Sequence, residues 1–260
     1  MFTQLFAHIY TGMDDESDNM LLETWKEKWT AVGWDARILT LEHSKQHPRY
    51  EEYLDRLQDV PMNGKSGKGL NRRYNELCFL RWLAMASAGG GWMSDYDIFP
   101  LVSSAQANEA NPLDLPENGD FTVYSVVPGS NGAGIPCMMS GRAEEWSRMA
   151  FRILENGIGH ARDEKHWTDM FALMDLRYSG DVYKWHDDVV DGRLALIGRE
   201  WQNSDCAIIA SNKRAIHFSH DAMENGNTSH MQDVMAGDPS QRAVVVNDWF
   251  NRWNEVCKTA

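Results

Sequence analysis

The chain has 260 residues, of which 43% are hydrophobic and 24% charged. That is long enough to bury a substantial core and ordinary for a soluble globular protein, which excludes disorder over most of the length. The formal net charge of -13 repels phosphate backbones and so excludes nucleic acid as a partner, while an anionic ligand needs a local remedy such as a divalent cation.

Residues 5–10 form a short apolar, β-favouring run ended by Thr11-Gly12, and read as a buried first strand. Residues 14–18 supply capping and acidic first-turn residues. They open a helix over 20–32, with Leu21, Leu22, Trp25, Trp29 and Val32 at helical spacing, stopped by Gly33. A second strand follows at 36–41, and this strand-helix-strand opening is the usual start of an open α/β sheet with a nucleotide crevice. Residues 46–69 are irregular apart from a helical patch at 50–57. The strongest helix signal covers 70–88, where Leu77, Leu80, Leu83, Ala84 and Ser87 make an apolar stripe that Gly89-Gly90-Gly91 ends. Strands are predicted at 121–127 and 135–140, and an amphipathic helix at 143–154 with Trp146, Met149, Ala150 and Ile153 on one side. Residues 167–176 read as helix, 206–210 and 214–218 as short strands, 221–239 as a mobile polar loop, and 243–255 as a closing helix. With no internal repeat and no clear linker, the expectation is one domain over residues 1–260.

Cys78, Cys137, Cys206 and Cys257 are widely spaced and form no C-x-x-C pair; three of them lie in apolar runs. Free thiols, no zinc-cysteine site and a reducing compartment are the expectation. The N-terminus is too short and polar for a signal peptide, and no run approaches the roughly 20 apolar residues of a spanning helix. The sequence therefore reads as soluble and cytoplasmic, with no integral membrane segment.

The chemistry centres on GGGWMSDYDIFP, residues 89–100, with Asp95 and Asp97 two apart. On a strand, residues i and i+2 share a face. Two carboxylates on one face near a strand's carboxyl end suit a hard divalent cation that clamps a diphosphate and stabilises its departure. An EF-hand loop is excluded, because its glycine and terminal glutamate are missing.

The stretch NELCFLRWLAMASAGGGWMSDYDIFP resembles the core of DxD-bearing glycosyltransferases with the GT-A fold. The nearest group includes yeast-type mannosyltransferases and the clostridial glucosylating toxins. The similarity covers roughly residues 71–100. It implies a GT-A-like open mixed sheet flanked by helices, with a Rossmann-like nucleotide-binding half and an acceptor-side half. It also implies a nucleotide-sugar donor, with a UDP-sugar first, a glycan or other hydroxyl acceptor, and Mn2+ or Mg2+.

Carried over by position, Arg81 would touch the sugar or phosphates, Asp95 would lie near the ribose and sugar, and Asp97 would be the metal ligand, with Asp95 beside it. Cys78 stands where the group has an aspartate, which leaves the donor sugar open, with Glu76 or Asn75 as the residues placed to compensate. One glycine is extra, and Met93 or Trp92 takes the group's tyrosine position. Ile9, Tyr10 and Thr11 occupy the place where the first strand meets the nucleobase. RAIHFSH resembles the C-terminal element that supplies a further ligand, with His217 preferred to His220. Asp169 is the candidate base toward the acceptor, with Asp187 and Asp188 as alternatives; retaining transfer, the commoner outcome in this group, needs no such base.

Of the 11 tryptophans, Trp25, Trp29, Trp82 and Trp146 read as core, and Trp167, Trp185, Trp201 and Trp249 as acceptor-groove candidates. Two rival functions stay open: a metal-dependent hydrolase of nucleotide-sugars using Asp95, Asp97, His217 and His220, and a non-catalytic nucleotide-sugar-binding module, which Cys78 keeps in play.

Overall fold

The computed structural model describes residues 4–8, 16–62, 72–101, 115–180, 182–202, 204–206, 213–226 and 238–257, with 4–8 given by backbone alone. β1 (Gln4–His8) leads to α1 (Glu16–Ala31), which buries Leu21, Leu22, Trp25 and Trp29 at the spacing the sequence predicts. Gly33, at φ 93°, turns the chain into β2 (Asp35–Leu39). α2 (Leu41–Lys45) and α3 (Tyr50–Leu57) follow, the latter burying Tyr50, Tyr53 and Leu57.

α4 (Arg72–Ser87) is central. The sequence predicts a single apolar stripe, but the structure buries every residue from Leu77 to Met85, including Arg81. A helix packed on all sides needs apolar residues all round, and α4 lies between α2, the sheet and a later helix, α5 (Ala143–Gly159). β3 (Gly90–Ser94) starts directly behind it. Gly90 has φ 77°, and a Cβ there would meet the Ala143 backbone nitrogen at 2.5 Å, so only glycine fits where β3 crosses the start of α5.

After β3, β4 (Ile98–Pro100) leaves for a second sheet. A 3-10 turn (Pro116–Gly119) precedes β5 (Thr122–Val123), and β6 (Met138–Arg142) runs into α5. α6 (Asp169–Tyr178), β7 (Lys184–Trp185), β8 (Val189–Asp191), α7 (Gly192–Ala195), β9 (Ala215–His217), α8 (His220–Asn225), a 3-10 turn (Pro239–Gln241) and α9 (Arg242–Cys257) follow.

The described strands form two mixed sheets with helices against them. The larger has the order β2-β1-β3-β6-β5-β7, with β6 antiparallel to β3 and β5 and the remaining pairings parallel. The smaller has the order β4-β9-β8. Alternation along the strands separates two cores. Trp92 and Met138 face α1, α9 and the small sheet, while Met93 and Met139 face α3, α4, α5 and α6. Among the described residues, no helix is long and apolar enough to cross a membrane.

Several expectations change. The strand predicted at 121–127 forms a ladder at Thr122–Val123 alone; beyond Tyr124 the chain folds back on itself, with an isolated bridge between Val126 and Gly134 and the Val127 N–H donating to the Ala133 carbonyl at 2.9 Å. Of the strand predicted at 206–210, Cys206 lies in a helical turn and 207–210 fall outside the described residues. The polar loop predicted at 221–239 begins as α8, and its residues 227–237 also fall outside. Cys206 and Cys257 form a disulfide, which corrects the expectation of four free thiols and removes the cysteine argument for a reducing compartment. Cys78 and Cys137 are buried and not disulfide-bonded.

Candidate functional site

The acid pair sits in the turn that carries the chain from the large sheet to the small one. The Asp95 N–H donates to the Cys137 carbonyl at 2.7 Å, and the Ile98 N–H donates back to the Asp95 carbonyl at 3.1 Å. Residues 95–97 are therefore not strand, and the expectation of two carboxylates on one strand face is corrected. The two carboxylates keep different closest partners, Arg81 for Asp95 and Arg242 with His217 for Asp97, and still act on each other through their charges.

α1 holds this turn from behind. Trp25 donates its indole N–H to Ser94 Oγ at 2.9 Å, and Trp29, one helical turn later, donates to the Ile98 carbonyl at 2.8 Å. The Phe218 N–H, just past β9, donates to the Asp97 carbonyl at 2.9 Å. The turn lies beyond the carboxyl end of β3. Parallel β1 ends beside it: Phe6 is level with Met93, and continuing that register sets His8 level with Asp95. Open α/β sheets bind ligands at this position.

Asp95 faces Arg81. Arg81 Nη1 lies 2.7 Å from Asp95 Oδ1, and its Nη2 and Nε donate to Asp169 Oδ2 at 2.7 and 3.1 Å. Trp82 Nε1 donates to the same Asp169 oxygen at 3.1 Å. Arg81 and Asp169 are both buried, and one cation serves two carboxylates. Burial, reinforced by Asp97 and Asp169, raises the Asp95 carboxyl to about 7 against the pull of Arg81.

Asp97 faces a second set. Its Oδ2 accepts from Arg242 Nη1 at 3.0 Å, and Arg242 Nη2 donates to Asp18 Oδ1 at 3.0 Å. Tyr96 donates its hydroxyl to that same Asp18 oxygen at 3.1 Å, and its ring centroid lies 5.7 Å from the Arg242 guanidinium. The other oxygen, Asp97 Oδ1, is buried without a hydrogen bond, although His217 Nε2 is 3.3 Å away. Burial works against ionisation of Asp97, but the positive charge of His217 and Arg242 outweighs it and holds the carboxyl at about 2. Burial likewise works against protonation of His217, yet Asp97 and Cys137 raise it well above the usual imidazole value. His220, lowered by burial and by Arg242, faces Arg242 through Nδ1 at 3.5 Å and not Asp97.

The structure thus brings Arg81, Asp95 and Asp169 together, and Asp97 with His217. Ile9, Tyr10 and Thr11 lie outside the described residues. Asp169, the residue expected to face an acceptor, is 4% exposed, and Arg81 Nε and Nη2 and Trp82 Nε1 all donate to one of its oxygens. Asp187 and Asp188 pair with Lys213 and Arg214. His217 is paired with Asp97, while His220 lies against Arg242 and acts on Asp97 only through its charge. Of the residues offered in place of the aspartate at Cys78, Glu76 is drawn to Arg72 at 2.9 Å and Asn75 is buried.

Sequence reasoning missed Asp18, Trp82, Tyr96 and Arg242. The signal for the arginines was present: a cation inside an apolar run, such as Arg81 in CFLRWLA or Arg242 before AVVV, must find buried acids. Among the groove candidates, Trp249 is buried in the core, and Trp167 and Trp201 are half-buried. Trp185 is exposed and lines a cavity of about 550 Å³ with Glu117, Lys184 and His186, at the sheet edge three strands from β3.

Among the described residues, no three His, Cys, Asp or Glu side chains gather as a metal site. The orphaned Asp97 Oδ1 beside His217 Nε2 nevertheless fits a cation held by two protein donors, with the rest of its ligands coming from elsewhere. Such a cation would displace the His217 proton.

The fold defines a mixed α/β protein, and the candidate site is an acid turn between two buried arginines, Arg81 and Arg242. No protein-family model matches the chain, and no curated protein matches it significantly.

Proposed function

We propose that this chain is a glycosyltransferase of GT-A-like arrangement, moving a sugar from a nucleotide-diphosphate sugar, with a UDP-sugar as first choice, to a glycan or other hydroxyl acceptor. Asp97 and His217 hold Mn2+ or Mg2+, with Asp95 beside them. Arg81, fixed by Asp169, orients Asp95 toward the donor. When bound, the cation neutralises the charge that develops on the departing nucleoside diphosphate.

The observation that carries the reading is Asp97 Oδ1: a buried carboxylate oxygen with no hydrogen bond, 3.3 Å from an imidazole nitrogen, in a turn beyond the carboxyl end of a strand parallel to β1. Its position matches the DxD resemblance of residues 71–100. The cavity beside Trp185 supports the acceptor side, because an exposed indole offers an apolar face to a sugar ring.

The test is calorimetric binding of UDP with Mn2+. The chain is expected to bind only when both are present, and Asp97→Asn is expected to lose that binding. Unchanged affinity in Asp97→Asn defeats the reading.

A further inference from the structure

Arg242 opens α9, and its side chain is only 5% exposed. It lies between two acids, 3.0 Å from Asp97 Oδ2 and 3.0 Å from Asp18 Oδ1, with the Tyr96 ring 5.7 Å from it. The elements that carry these groups are tied to one another. Asp18 belongs to α1, whose Trp25 and Trp29 grip both sides of the acid turn, and α9 packs Val245, Val246, Trp249 and Phe250 into the same core as α1. The guanidinium is a fixed charge rather than a free arm.

Two consequences follow for a divalent cation. One Asp97 oxygen is already committed to a positive charge that repels it. The other oxygen faces His217 Nε2, which has a lone pair only in the neutral ring, so these two atoms supply at most two of the about six donors that a hard cation takes. A diphosphate changes both conditions, since it brings oxygen donors and negative charge together.

Resting on the metal–diphosphate reading above, we infer that Arg242 is a built-in counter-charge to Asp97 that keeps a bare divalent cation out, so that cation and nucleoside diphosphate enter the site together. Arg242 is a positioning residue: it touches neither the sugar nor the reacting atoms but sets the charge that the Asp97 carboxylate presents. Asp18 holds the guanidinium in place from the far side.

The test is Mn2+ binding to the full chain, read from the free-ion electron paramagnetic resonance signal, with and without UDP. The wild-type chain is expected to bind Mn2+ at least 10-fold more tightly with UDP than without. Arg242→Met keeps the apolar stem without the charge, and is expected to bind Mn2+ alone at least 10-fold more tightly than wild type, with a smaller UDP effect. The double variant Arg242→Met, Asp18→Asn removes one charge of each sign, is the fold-preserving form, and is expected to show the same gain. Asp18→Asn alone leaves Arg242 wholly to Asp97 and is expected to show no gain. If the folded Arg242 variants bind Mn2+ alone no better than wild type, or if Asp18→Asn gains as much as they do, the counter-charge role is overturned. Should wild type bind no Mn2+ even with UDP, or Asp97→Asn bind the pair as wild type does, the site reading itself fails and the inference with it.

Discussion

Arg81 donates to a single oxygen of Asp169 from both Nε and Nη2, at 3.1 and 2.7 Å, across 88 residues of sequence. The third nitrogen of the same guanidinium reaches Asp95 at 2.7 Å. One buried cation therefore locks the start of α6 to the acid turn.

Removing that cation leaves the buried Asp169 and the half-buried Asp95 without the charge they share. Arg81→Met is expected to cost about 3–5 kcal/mol, the usual effect of breaking a buried pair from one side. Asp169→Asn keeps the shape and still accepts hydrogen bonds, so about 1–2 kcal/mol is expected. Urea unfolding measures both, and equal losses would show that Asp169 does more than hold Arg81.

Gly90 tests the close crossing of β3 over the start of α5. Gly90→Ala adds a Cβ 2.5 Å from the Ala143 nitrogen at a φ of 77°. A loss of about 2–5 kcal/mol is expected from overpacking and left-handed strain combined. Gly89→Ala is the control, because at φ 95° it has open space around it and carries the backbone strain alone, about 1–2 kcal/mol. The two unfolding midpoints should differ clearly; coincident midpoints contradict the crossing.

His47 gives the fold a defined pH dependence. Its Nδ1 accepts the Arg49 N–H at 3.2 Å, which fixes the neutral ring with Nε2 donating to Ser147 Oγ at 3.1 Å. Burial, helped by Arg49, lowers its pKa from 6.5. Below pH 6.5 the unfolded chain gains a proton that the folded chain refuses, so His47's contribution falls as pH drops from 6.5 toward the folded pKa. Stability measured from pH 8 to pH 5, in roughly half-unit steps, should fall more steeply in wild type than in His47→Gln. Parallel curves would mean that His47 is free to charge in the fold.

The Cys206–Cys257 disulfide closes a span of 51 residues. Reduction, or Cys257→Ser, is expected to cost about 2–4 kcal/mol, chiefly by releasing the unfolded chain from that loop constraint. Urea midpoints with and without dithiothreitol check this, and Cys257→Ser should be insensitive to the reductant. A wild-type midpoint unmoved by dithiothreitol would contradict it.

Periodicity made the local structure legible. Trp25 and Trp29 on α1, Trp146 and Met149 on α5, and the glycine stop behind α4 all read directly from spacing, because a helix that buries one face must repeat apolar residues near every 3.6 positions. The strand at 121–127 was over-read, since an apolar run reports burial and not hydrogen-bond partners. The cysteine reading failed for the same kind of reason: Cys206 and Cys257 meet only because α9 packs back against the residues before it.

What the sequence determined by itself was the α/β order, the position of the acid pair behind a glycine-terminated helix, and the candidate status of Arg81, Asp95, Asp97, Asp169 and His217. Only the tertiary structure decided how they group. It placed Asp97 on the turn rather than on a strand, gave Asp169 to Arg81, and brought Arg242 to Asp97 across 145 residues. The physical reason is that a buried charge must find its opposite wherever the packing of elements brings one within reach, and sequence spacing carries no record of that distance.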